Sequence, residues 1–222
     1  ATGGPLSRTF EDSYVDDQDR HITDTQYTKY DPVSGEMLGK SRVVDMGWHD
    51  GFSSTIRYDQ DDNKVHEWYN EPILDEDGKH LGNRYGDIEY DESGQVSWAY
   101  ISEHTQIRTE DGDFLGSDSV TKDAHGNIVS TNQYRPTWDK DGNYLGFTET
   151  EMYYHADGSL EYTDISTSDR LTGVNTYVRK NAKGSILSES KTTEEHGRRT
   201  YVENSYSEHT GNLMTTVTRT SR

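Results

Sequence analysis

Aspartates two residues apart recur along the chain, at Asp75 and Asp77, Asp111 and Asp113, and Asp139 and Asp141. Carboxylates at that spacing present several oxygens to a hard cation such as calcium. A helix-loop-helix calcium loop also needs Gly at its sixth place and Glu at its twelfth. Counted from Asp139, Gly142 falls fourth and Thr150 twelfth; counted from Asp59, the two places hold Lys64 and Asn70. That loop is excluded. Two readings stand for the aspartates: calcium ligands on turns, or plain turn-formers. No other cofactor is expected.

The nine histidines form neither HxH nor HExxH, and His80, His125, His155 and His196 lie in or beside turn sequences. There is no cysteine, no GxSxG elbow and no glycine-rich phosphate loop, so motif-borne nucleophilic or phosphoryl chemistry has no support. Trp48, His49 and Asp50 sit in the one segment that breaks the rhythm of the chain and are the first residues to test for catalysis. Their other reading is a packed corner. Trp68, Trp98, Tyr100, Tyr134 and Trp138 lie near Asp, Asn and Gln. Rings so flanked hold sugars or other flat ligands, or pack across strands as a thin core.

The elements that carry these residues are strands. Turns rich in Asp and Gly return at YDPVSG (30–35), YDQDDN (58–63), LDEDG (74–78), YDESG (90–94), TEDG (109–112), KDAHG (122–126), WDKDG (138–142) and YHADG (154–158), with degenerate copies to residue 211. Glycine tolerates the positive φ that tight hairpin turns require. Alternate turns run on into Leu-Gly, as in GEMLG (35–39), GKHLG (78–82), GDFLG (112–116) and GNYLG (142–146). The repeat is therefore a two-strand unit of about 32 residues. Between turns the sequence alternates, as in Val96–Tyr100 and Leu213–Val217, and no segment shows a capped helical period. Segment 40–57 departs from the spacing, with Met46-Gly47-Trp48 expected as a bulge or corner.

The chain has 222 residues, a formal charge of −19 and 29% hydrophobic side chains. Aromatics at 11% and only 4 prolines oppose disorder. No apolar run is long enough for a membrane helix, and so acidic a chain is a poor partner for nucleic acid. Residues 170–222 carry +4 and the remainder −23, an asymmetry that favours attraction between the ends of one molecule or of neighbours. Residues 1–5 lack the charged and apolar regions of a signal peptide and read as a mature or trimmed end.

Elements such as YDESGQV (90–96) and YDPVSGEM (30–37) resemble the YD-type repeats of bacterial surface and toxin-encapsulating proteins, and YYHADGSL (153–160) resembles MORN-like hairpin arrays. The likeness covers most of residues 27–165. The Arg-Leu that usually follows the YD turn occurs only as Arg170-Leu171, outside such a turn. The resemblance implies a β-hairpin array at a cell surface or in a secreted assembly.

The expected fold is all-β: a long antiparallel meander of 10–14 strands with almost no helix, either an open extended sheet or an up-and-down barrel. Residues 1–26 read as an acidic arm or edge strand, 27–168 as the acidic hairpin region, and 169–222 as basic degenerate repeats of the same β domain. The expected function is a non-catalytic, extracellular or surface-located module that binds a glycan, a protein or copies of itself, including head-to-tail assembly. The alternative is an enzyme or ligand carrier on a barrel with a polar lumen.

Overall fold

The computed structural model describes residues 6–17, 20–47 and 52–221, all strand and turn. The strands are β1 (Leu6–Val15), β2 (His21–Tyr30), β3 (Met37–Gly47), β4 (Ser53–Tyr58), β5 (Lys64–Leu74), β6 (His80–Tyr90), β7 (Val96–Arg108), β8 (Phe114–Lys122), β9 (Ile128–Trp138), β10 (Tyr144–Tyr154), β11 (Leu160–Asp169), β12 (Val174–Asn181), β13 (Ile186–Glu195), β14 (Arg198–Tyr206) and β15 (Leu213–Ser221). Their order in the sheet is their order in the chain, so the fold is one antiparallel meander. The described residues form fifteen strands, close to the expected count of about 10–14, and β1 and β15 are the two edges of the sheet. The barrel alternative is thereby corrected: the sheet is open and encloses no lumen. Closing a sheet into a barrel pairs its first strand with its last, and β1 and β15 are not hydrogen-bonded neighbours.

The turns show why the chain folds back where it does. In residues 75–79, the Asp75 N–H donates to the Lys79 carbonyl at 2.9 Å and the Gly78 N–H to the Asp75 carbonyl at 3.0 Å. The Asp75 carboxylate accepts the N–H of Asp77 at 3.0 Å and of Lys79 at 2.8 Å. Gly78 sits at φ +79°, where a Cβ would be strained. In the turn at 59–63 the left-handed place belongs to Asp62, at φ +62°, and not to Asn63, which instead donates to Asp59. At 195–198 the turn shortens to two residues, His196 and Gly197, both at positive φ, the pattern whose twist matches that of the flanking strands.

The chain forms two compact units, residues 1–103 with 122–126, and 104–121 with 127–222. The expected boundary at 26/27 falls inside β2 and that at 168/169 inside β11. In the first unit the buried side chains are Ile22, Val44, Ala99, Thr25 and Ser54; in the second, the described ones are only Ser117, Thr121 and Ser130. Ion pairs laid across strands do much of the cross-linking instead. Arg42 forks onto Asp24 at 2.6–3.0 Å with its guanidinium over Tyr58, and Arg179 forks onto Asp164 at 2.7–2.8 Å over Tyr162. The expected bulge at Met46-Gly47 is absent: Met46 pairs with Ser54 and Gly47 with Ser53 in unbroken register. Trp48, the remaining residue of that expectation, lies outside the described residues.

The Leu-Gly extension has a structural role in the second unit. Gly116 and Gly146 adopt φ +145° and +150°, and Gly146 sits at a register shift between β9 and β10. A Cβ on Gly146 would lie 1.9 Å from the Ser168 carbonyl oxygen, and one on Gly116 2.3 Å from that of Tyr134. Neighbouring backbone occupies the space of a side chain.

Candidate functional site

Alternation along β5 places His66, Trp68 and Asn70 on one face and Glu67, Tyr69 and Glu71 on the other. Trp68 lies opposite Thr55 on β4 and Asp87 on β6, and Asn70 lies opposite Tyr85. The parity of β7 follows from one ion pair. Arg84, directly opposite Glu71, binds Glu103 at 3.0 Å, so Glu103 shares the Glu71 face. Trp98 and Tyr100 are an odd number of residues away and emerge beside Trp68, with buried Ala99 between them turned to the other side. One face of β5, β6 and β7 thus carries Trp68, Tyr85, Trp98 and Tyr100, which are 38%, 37%, 47% and 47% exposed.

Polar groups border these rings. His66 Nε2 lies 2.6 Å from Asp87 Oδ1, which makes Nε2–H the donor in the neutral ring and leaves Nδ1 an acceptor. His66 Nδ1 and Asn70 Oδ1, on either side of Trp68, are both buried and take no hydrogen bond. Such atoms each cost about 1–3 kcal/mol. Glu89, opposite His66, adds a further acceptor to the same face. Beneath it, Tyr69 lays its ring over Gly86: a Cβ there would meet Tyr69 Cε1 at 2.0 Å.

Trp68, Trp98 and Tyr100 share this face of the first unit, and Tyr134 and Trp138 belong to the second. Tyr134, on β9, stacks between Phe114 at 6.4 Å and Phe147 at 5.4 Å, its hydroxyl 3.3 Å from that of Tyr144. Burial and the bond to Tyr144 push its hydroxyl up to about 12. Trp138 meets Tyr144 edge-on at 5.3 Å, with Arg170 over the same tyrosine. Tyr85 is the member of the face that motif reading missed. The signal for it is its alternation against Ile88, which places it away from the Ile88 side.

Trp48, His49 and Asp50 lie outside the described residues. Among the paired aspartates, Asp75 and Asp139 direct an oxygen at turn amides, and hydrogen bonds from Asn143 hold the Asp139 carboxyl below its ordinary range. Asp77, Asp111, Asp113 and Asp141 are exposed on turn tips. In the 109–113 turn the capping acceptor is the Thr109 hydroxyl rather than a carboxylate. Among the described residues no three His, Cys, Asp or Glu side chains converge as a metal site would require.

No family model matches the chain, and no curated protein matches it. Among solved structures, the chain is similar to one in the Photorhabdus luminescens Tc holotoxin pore, at 7% identity over 82% of this chain, with a TM-score of 0.15. It spans 15% of that chain's length. The hairpin-repeat architecture rests on the meander itself.

Proposed function

We propose that the chain is a non-catalytic binding module, working outside the cell or at its surface, and that the Trp68, Tyr85, Trp98 and Tyr100 face binds a neutral glycan. The observation that carries this is the convergence of four exposed rings on one face of three adjacent strands. Rings stack on the C–H faces of sugars. Asp87 and Glu89 on this face are acceptors, so the matching ligand is rich in hydroxyl donors. Carboxylates on the face and a charge of −19 turn anionic polymers away. An open, flat surface suits binding better than chemistry that must exclude water.

The test is affinity electrophoresis in gels containing neutral β-glucan, xylan or mannan, with alginate as the anionic arm. Wild type is retarded by a neutral polymer. The triple variant Trp68→Ala, Trp98→Ala, Tyr100→Ala loses that retardation while keeping its circular dichroism, since each ring contributes about 0.5–1.5 kcal/mol, roughly two- to tenfold in affinity. Retardation of the triple variant equal to wild type, or of wild type by alginate alone, would defeat the proposal.

A further inference from the structure

We infer that β1 is a self-complementary edge through which two copies of the chain join in antiparallel register. All ten residues of β1 are exposed, including Leu6, Phe10 and Tyr14 at 61%, 64% and 50%. Edge strands are normally guarded by charged side chains, lysine above all, or by proline, a bulge or shortness, and of these β1 carries Arg8, Glu11 and Asp12. β1 has neither lysine nor proline, and its pairing with β2 runs from Leu6↔Tyr30 to Val15↔His21 without a register shift. Its outer backbone groups are thus a straight template for another strand.

The side chains select the partner. On one face β1 reads Leu6, Arg8, Phe10, Asp12, Tyr14. A two-fold axis through Phe10, normal to the sheet, sets Arg8 opposite Asp12 of the second copy, Asp12 opposite its Arg8, Phe10 opposite Phe10, and Leu6 opposite Tyr14. Opposite charges and apolar pairs directly across a strand pair are the favourable ones. Within its own chain Asp12 faces Asp24, whose carboxylate is already held by Arg42. Arg8 lies over the Tyr30 ring, but among the described residues no ion pair joins Arg8 or Asp12 to any other group, so the second copy supplies the opposite charge each lacks.

Two-fold joining keeps the ladder antiparallel, as the pairings along the chain are. About β15, a two-fold axis through Val217 leaves Arg219 opposite Thr215, with no charge to meet it.

Sedimentation velocity of the full chain tests this. Wild type forms a concentration-dependent dimer. Arg8→Asp alone and Asp12→Arg alone are monomers, because each sets like charges opposite. An equimolar mixture of the two variants forms a heterodimer, because the mixed pair restores both ion pairs. Loss of fold in either variant could not produce that recovery, and circular dichroism of each confirms that β structure is retained. A wild type monomeric at its highest soluble concentration, unchanged association in Arg8→Asp, or failure of the mixture to recover a dimer would each overturn the inference.

Discussion

Replacing Gly146 by Ala should cost far more stability than the same change at Gly39, although both close the same Leu-Gly motif. At Gly146 the backbone holds φ +150°, a region that costs a side-chain-bearing residue about 1–3 kcal/mol. The new Cβ would also sit 1.9 Å from the Ser168 carbonyl oxygen and 2.9 Å from its carbon. Relief requires β10 and β11 to part at that point, a further cost of about 1–3 kcal/mol, as for overpacking in general. The midpoint, about 4 kcal/mol, lowers the melting temperature of a chain of this size by roughly 8–16 °C. At Gly39 a Cβ meets nothing within 4 Å and the backbone is ordinary, so Ala there is neutral, or stabilises by about 0.4–1 kcal/mol through the unfolded chain. Thermal melts followed by circular dichroism and calorimetry compare the two. A Gly146→Ala protein that melts with wild type, or a Gly39→Ala protein that falls as far as Gly146→Ala, would refute the idea that close backbone approach, rather than the motif, demands the glycine.

Gly86→Ala should destabilise the first unit by displacing the Tyr69 ring, and should cost much less in a Tyr69→Ala background; a double-mutant cycle with additive effects would deny that contact. Acid should loosen the hairpins. Asp59, Asp91, Asp139 and Asp157 are held below the ordinary carboxylate range, first by side-chain hydrogen bonds from Asn63, Ser93, Asn143 and Ser159 and then by backbone amides. Their contribution is present above the unfolded value of about 3.9 and is lost as pH falls through the depressed folded values. Melting temperatures should drop below about pH 4, and should drop less in Asp139→Asn. At the alkaline end, Tyr134 and Tyr177, both pushed up to about 12 chiefly by burial, are stabilising below about pH 10 and lose that contribution as pH rises toward 12. Tyr177→Phe should flatten the alkaline decline, and an unchanged profile would deny the assignment.

Much of the fold is legible in the residues because hairpin turns are local. Asp75 and Gly78 form their turn from hydrogen bonds within five residues, so a pattern of Asp and Gly announces it. Alternation then marks the strands, as Ala99 between exposed Trp98 and Tyr100 illustrates. The turn at 59–63 was legible in place but not in detail, because Asp can take the left-handed position that Gly usually fills, and Asp62 does so while Asn63 closes the turn.

The sequence by itself determined the antiparallel meander, the absence of helix among the described residues and the reliance on polar and aromatic side chains, all consequences of contacts between near neighbours in the chain. Only the tertiary structure decided that the sheet stays open, since closure depends on whether β1 and β15 meet across the whole chain. It alone grouped Trp68 with Tyr85, Trp98 and Tyr100, because the face a residue joins depends on register, and a shift of one residue reverses it. It alone revealed Tyr85, whose place opposite Asn70 is a pairing between strands. It also showed that identical Leu-Gly motifs differ, with Gly146 wedged against Ser168 and Gly39 in open space, because the neighbouring backbone that presses on a glycine belongs to another part of the chain.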